Sequence, residues 1–336
     1  MSMPLQQKIA VAKYITGKRL RGETKYPLVL ELEPLLQCNL ACAGCGKIQH
    51  PDEILRQRLS VQDCIDAVEE CGAPMVSIAG GEPLVHDQMP QIVEELVKRK
   101  KFVFLCTNAL LLKKKIHLFK PSVYFVWMIH LDGMRERHDQ SVCRQGVFDK
   151  AVDAIKDAKA RGFRVFTNTT FFDQDGPESV REVLDYLNDD LKVDMMQISP
   201  AYAYEKAPDQ EHFLGVKRTR EVFSQVFADG KRKKWRLNHS PLYLDFLEGK
   251  VDFECTPWGI PCYTVFGWQR PCYLMSKEGY AKTYKELLNE TDWSKYGRGK
   301  HESCENCMAH CGYEPTAVLR TTGSIKESIR AAIRCV

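Results

Sequence analysis

A chain of 336 residues, 44% hydrophobic and 27% charged, can bury a full core and fits one large domain plus a smaller one. Lysine and arginine exceed aspartate and glutamate by only 48 to 44, so no electrostatic footprint for nucleic acid is present and no nucleic-acid partner is expected. The opening MSMPLQQKIAVAKY lacks a signal-peptide apolar core, and no run approaches the ~20 apolar residues of a membrane span, so the expected location is cytoplasmic.

Residues 1–25 read as an N-terminal basic amphipathic segment, with Leu5, Ile9 and Ala12 among lysines. Residues 26–207 alternate apolar, β-rich runs with segments of helical period. The runs are YPLVLELEP, PMVSIAGG, FVFLCTN, VYFVWMIHLDG, RVFTNTTFFD and VDMMQISPAY. Between them lie SVQDCIDAVEEC, opened by Ser60 as N-cap, then MPQIVEELVKRK, VFDKAVDAIKDAKARG and PESVREVLDYLND. Near-continuous apolar strands alternating with helices predict a parallel sheet covered by helices. About six units is fewer than the eight of a closed barrel, so the expected fold is α/β, a partial (β/α)6 TIM-like barrel whose chemistry collects at the C-terminal strand ends. Residues 208–320 read as a helical and cysteine-rich C-terminal module with a basic patch, KRKKWR, at 231–236. Residues 321–336 predict a basic amphipathic helix: Ile325, Ile329, Ala332, Ile333 and Val336 form one stripe, Lys326, Arg330 and Arg334 oppose it, and Ser324 with Glu327 makes a capping box. Such a helix suits either packing on the domain or lying in an anionic interface, which adds peripheral contact with the inner face of the membrane to the expectation.

Fourteen cysteines without an export signal argue for metal or redox work rather than disulfides. The stretch CNLACAGC puts Cys38, Cys42 and Cys45 after the first strand and supplies no fourth cysteine, which suggests a metal with one open position. Thiolates suit an iron cluster; a zinc knuckle borrowing a distant ligand is the alternative. At the next strand end stands GGEP, where Gly80 and Gly81 let backbone carbonyls approach a cationic amine and Glu82 adds a carboxylate. His130 and Asp132 in HLDG, and Asn168 in TNTT, lie at strand ends where polar groups would meet a ribose or an adenine; a structural hydrogen-bonding role suits them equally. Cys106 shares the strand parity of Phe102 and Phe104, hence the rim of the site, unless it is a packing thiol. Late in the chain, Cys255, Cys272, Cys304, Cys307 and Cys311 read as a second metal site for iron or zinc, one cysteine more than a single cluster needs. Cys64, Cys71, Cys143, Cys262 and Cys335 read as packing or incidental thiols.

With these motifs in place the chain resembles the radical S-adenosylmethionine superfamily. The resemblance implies that Cys38, Cys42 and Cys45 hold a [4Fe-4S] cluster whose fourth iron is chelated by the amino and carboxylate groups of S-adenosyl-L-methionine, a co-substrate. It implies further that GGEP receives the methionine amino group and Arg144, in SVCRQGVF, the carboxylate. The late cysteines resemble the shortened auxiliary-cluster domains of some members. Over CNLACAGCGKI, SIAGGEPL, LCTNALLL, HLDG, AYAYEKAPDQEHFL, VFGWQRPCYL and CGYEPTAV the chain is similar to the adenosyl-hopene transferases of bacterial hopanoid biosynthesis. That closer resemblance implies a transferase acting on the terminal alkene of diploptene to give adenosylhopane, with a low-potential electron donor such as flavodoxin or ferredoxin; the tertiary radical left by addition needs a hydrogen atom, and the strand-end position of Cys106 makes it the candidate donor. Two rivals stand beside it: a radical S-adenosylmethionine peptide maturase, for which no leader-recognition module is visible, and a non-catalytic iron–sulfur carrier or zinc-stapled scaffold, which has no need of GGEP.

Overall fold

The computed structural model describes residues 4–275 and 277–323. Helix α1 (Leu5–Leu20) leads into six parallel strands, β1 (Val29–Leu32), β2 (Met75–Ile78), β3 (Phe102–Thr107), β4 (Phe125–His130), β5 (Arg164–Phe171) and β6 (Met195–Pro200). Between them run α2 (Val61–Cys71), α3 (Met89–Lys98), α4 (Arg135–Ser141), α5 (Val147–Ala160) and α6 (Pro177–Asp185). This is the expected open barrel of six strand–helix units. Local chemistry sets its boundaries: Ser60 and Asp63 form a capping box at the start of α2, and Gly72, at φ 71°, ends that helix in the left-handed region. Outward-facing Leu30, Val76, Val103, Trp127 and Val165 pack on Ile92, Leu96, Ala151, Ile155 and Val180 of the helices, all buried. Each valine, leucine or isoleucine among them contributes about 1.5–3 kcal/mol on leaving water.

The chain then runs through α7 (Val216–Val226) and α8 (Pro241–Leu247) to three short strands, β7 (Cys262–Thr264), β8 (Gly267–Gln269) and β9 (Tyr280–Ala281), followed by α9 (Tyr284–Glu290) and α10 (His310–Gly323). These strands extend the barrel sheet itself. The order is β6-β5-β4-β3-β2-β1-β7-β8-β9, with β7 parallel to β1 through Glu31↔Cys262 and Leu32↔Tyr263. The runs are too short for a period-two pattern to reveal them. Two members of the KRKKWR patch are ion-paired: Arg232 with Asp245 at 2.8 Å and Glu248 at 2.9 Å, and Lys234 with Asp185 and Asp189. The predicted C-terminal helix falls from Ser324 onward outside the described residues, and its boundary at 320/321 lies inside α10. Among the described residues no helix is long and apolar enough to cross a membrane.

Candidate active site

Inside the barrel is a cavity of about 430 Å³ that Cys38, Cys42 and Cys45 line together from the loop after β1. The Cys45 N–H donates to Cys42 O at 3.2 Å and the Leu40 N–H to Cys38 Sγ at 3.4 Å, which fixes the turn. Burial pushes the Cys38 thiol up to about 11 and Cys42 further still, Cys45 adding to the latter. Desolvated neighbouring thiols are costly to ionise unless a cation shares their site. All thirteen described cysteines are free. Among the described residues no three His, Cys, Asp or Glu side chains converge as one bound ion requires. The fit to a [4Fe-4S] cluster rests on donor chemistry: three soft sulfurs on one short loop, facing one cavity. Cys143, read as incidental, lies near enough to Cys42 to raise its pKa.

GGEP holds this loop in place. The Gly81 N–H donates to Leu35 O at 3.0 Å and the Glu82 N–H to Gln37 O at 2.9 Å. A Cβ on Gly80, at φ 99°, would collide with Leu35 O, and one on Gly81 with Gln37 O. Only glycine permits that approach. Glu82, 1% exposed, already accepts hydrogen bonds from Leu84 N, Thr107 Oγ1 and Asn108 N at 2.8–3.0 Å. Its carboxylate, expected to meet the amine, thus also ties β2 to β3; burial still pushes its pKa up.

Asp132 plays a similar part. It accepts from Ser141 Oγ at 3.0 Å and Thr170 N at 2.8 Å, and pairs with His130 Nε2 at 2.7 Å. Burial alone would push His130 below its usual range, but Asp132 overrides it and holds the imidazole above. His130 and Asn168 face the cavity, and the buried Asn168 Oδ1 has no partner. An orphaned acceptor there suits a hydroxyl or amine of a ligand. Arg144 stands exposed near the cysteine loop, 3.4 Å from Asn39 O, and does not line the cavity.

Lower in the barrel, Cys106 faces the cavity with Phe104, Met75 and Met128. Ser77 Oγ lies 3.6 Å from its sulfur. Burial, then the nearby Glu31 carboxylate, pushes the thiol up to about 12, so it stays S–H at neutral pH. Glu31 and Ser77 share the inward parity of their strands, a signal that was in the sequence and not used. Opposite stands a polar wall that sequence reasoning missed: Gln197 bonds His310 at 2.8 Å, His239 accepts from Ile198 N at 2.9 Å, and Asn238 Oδ1 and His310 Nδ1 are buried without partners. Those groups come from β6, the segment just before α8 and the start of α10, with 113 residues separating the first pair, and no local spacing joins them.

The late cysteines gather beside the same cavity. Burial raises Cys311, with Cys307, Cys272 and Cys255 adding to the rise; Cys255 in turn feels Cys307, Cys272 and Cys304. Cys311 itself lines the cavity. Between the two thiol groups, Lys47 Nζ pairs with Glu33 at 2.8 Å, stands over the rings of Tyr204 and Tyr273, and donates to Tyr273 O at 3.3 Å.

Residues 32–187 match the family described as the radical SAM superfamily, and residues 196–331 match a domain of unknown function, DUF3463. That match places the barrel segment, residues 32–187, in the radical SAM superfamily. That superfamily uses a [4Fe-4S] cluster and S-adenosylmethionine. GTP 3′,8-cyclase of Clostridium perfringens strain SM101 is 26% identical over 229 residues, which cover 65% of this chain and 69% of that one. Mycofactocin maturase MftC of Mycolicibacterium smegmatis is 31% identical over 41% of this chain and 36% of its own length. Two solved structures share the fold. SuiB of Streptococcus suis bound to S-adenosylmethionine superposes with a TM-score of 0.61 at 17% identity, covering 76% of this chain and 62% of SuiB. The protein anSMEcpe with bound AdoMet and a peptide does so with a TM-score of 0.58 at 17% identity, covering 91% and 99%.

Proposed function

We propose that this radical SAM enzyme transfers a 5′-deoxyadenosyl group from S-adenosylmethionine to the terminal alkene of an apolar triterpene, diploptene, giving adenosylhopane. The observation that carries the reading is a protonated thiol, Cys106, between the three-cysteine loop and an apolar floor of Val29, Met75, Phe104 and Met128 within one cavity. Cys38, Cys42 and Cys45 would hold the cluster, Gly80 and Gly81 would present carbonyls to the methionine amine, and His130 and Asn168 would meet the nucleoside. When bound, the cluster supplies one electron that splits the sulfonium into methionine and a carbon-centred adenosyl fragment.

Addition of that fragment to the alkene forms one C–C bond and leaves the unpaired electron on a tertiary carbon. A thiol S–H bond is weaker than a tertiary C–H bond. Cys106 therefore gives a hydrogen atom downhill, and the resulting thiyl regains thiol by taking one electron and one proton from a low-potential donor of the flavodoxin or ferredoxin class. Exposed Arg144 would serve the cofactor carboxylate from the cavity mouth. Cys255, Cys272, Cys304, Cys307 and Cys311 supply enough sulfur for a second iron–sulfur cluster or a zinc ion next to this path.

A second reading draws support from MftC, named a maturase, from SuiB and anSMEcpe, whose titles name bound peptides, and from the cysteine-rich module beside the cavity. It is a peptide maturase. Anaerobic turnover of reduced protein with S-adenosylmethionine and diploptene separates the two, since only the transferase yields an adenosylated triterpene. Cys106→Ala should cleave S-adenosylmethionine within about twofold of the wild-type rate while reduced product falls about tenfold or more. Unchanged product yield and stereochemistry would remove Cys106 from the mechanism.

A further inference from the structure

All five large apolar side chains that stand exposed among the described residues lie at the N-terminal end of the strands. Leu5 (72% exposed), Ile9 (45%) and Leu20 (83%) follow one side of α1 at helical spacing, and Leu118 and Val123 lie on the segment leading into β4. α1 is laid across the floor of the barrel: Gln6 Nε2 donates to the hydroxyl of Tyr124, the residue after Val123, and Gln7 Nε2 donates to Met75 Sδ at 3.5 Å. Its inner face, Ala10, Val11, Tyr14 and Ile15, packs on strand residues. Its outer face therefore has no partner within the described chain.

That face is also basic. α1 holds Lys8, Lys13, Lys18 and Arg19 and no acidic residue, with Lys8, Lys13 and Arg19 exposed. The end of α10 is fastened alongside, Arg19 donating to Leu319 O at 2.7 Å and Thr322 Oγ1 at 3.2 Å. The sequence of residues 324–336, which lie outside the described structure, repeats the same combination: Ile325, Ile329 and Ile333 at one spacing, Lys326, Arg330 and Arg334 at the other. Lys18 is paired with Glu23 at 2.6 Å, which leaves Lys8, Lys13 and Arg19 beside the apolar side chains, and such a combination is the chemistry that an anionic lipid interface attracts. The floor is thin, since Gln7 of α1 and Val318 of α10 line the cavity from within.

We propose that the outer face of α1 docks this protein on an anionic lipid surface, and that an apolar substrate dissolved there enters the cavity at the seam between α1 and α10. The docking stands on the surface alone, whereas the entry route rests on the triterpene reading above. The test uses the full cluster-loaded chain and flotation with vesicles of phosphatidylcholine, with or without about a third phosphatidylglycerol. Wild type should float with the anionic vesicles, and Ile9→Glu/Leu20→Glu should float about tenfold less. Lys8→Glu/Lys13→Glu should lose the preference for anionic lipid. Both variants should keep wild-type cleavage of S-adenosylmethionine in the absence of lipid, which reports an intact barrel. Equal flotation of wild type and Ile9→Glu/Leu20→Glu overturns the docking, as does wild type that ignores vesicles. So does a dimer, seen by light scattering, that these substitutions dissolve without changing flotation, for then the face seats a second copy. For the entry route, product from vesicle-borne diploptene should fall about tenfold in Ile9→Glu/Leu20→Glu while product from detergent-dissolved diploptene is unchanged; an equal fall in both overturns it. Absence of product from wild type in both media sinks the transferase reading and leaves the flotation result standing.

Discussion

Glu31 faces the barrel cavity one strand away from Ser77, and burial followed by the neighbouring Glu33 raises its pKa to about 8. An ordinary carboxyl titrates some units lower, so between roughly pH 4.5 and 8 the folded chain binds a proton that the unfolded chain has released. Stability contributed by this group is accordingly full below the unfolded value and is lost as pH rises through that window. Glu31→Gln should flatten the decline: its melting temperature should exceed that of the wild type by a margin that grows from pH 5 to pH 8, checked by thermal denaturation in parallel buffers. Cys106 was legible from strand parity alone, since alternate residues of β3 must share a side. Glu31 and Ser77 obey the same parity, but a carboxylate in a strand reads as a solvent-facing residue until the barrel closes round it. Asn238, His239 and His310 carry no local signal at all, because β6 gathers them from two distant segments: Gln197 bonds His310 of α10, and Ile198 N bonds His239 just before α8.

For the loops and helices, the informative contact is the one between GGEP and the cysteine loop. The glycines read in sequence as an opening for a ligand; the structure shows that their missing Cβ atoms make room for Leu35 and Gln37, the residues leading to Cys38. Gly81→Ala must move that backbone, at a cost of about 1–3 kcal/mol. The expected outcome is a chain with unchanged far-ultraviolet dichroism and severalfold less iron after reconstitution, measured by iron and sulfide analysis. Equal iron content would show that the loop yields without consequence for the site. The capped helix opening at Ser60 was predictable because its side-chain chemistry is local, with the partner three residues away. β7 to β9 were not, since two or three residues offer too little pattern and each strand is defined by its neighbour, not by its own composition.

At the scale of the whole molecule, the division at residues 207 and 208 marks a change of sequence character, yet a single sheet runs across it. β1 has β2 on one side and β7 on the other, and Leu28, Glu31 and Glu33 each donate a backbone hydrogen bond to the segment 259–263. A chain ending at residue 207 would therefore expose one edge of β1, directly below the cysteine loop. Unpaired edges invite association with other chains. Such a truncation should collect mostly in the insoluble fraction on expression, with little iron bound by what stays soluble; a soluble, iron-replete fragment would show that the late strands are dispensable. The parallel barrel was readable from six apolar runs, while this closure was not, because it joins the first strand to a partner more than 200 residues downstream.

That pairing has a consequence for synthesis. A ribosome delivers β1 and the three cysteines early, but the strand that completes β1 emerges only when more than three quarters of the chain has been made. Until then the thiols hang from a half-built sheet, and a cluster held by them is expected to load after the far end has been made. The expected order of maturation is thus set by chain topology: the walls first, then the iron.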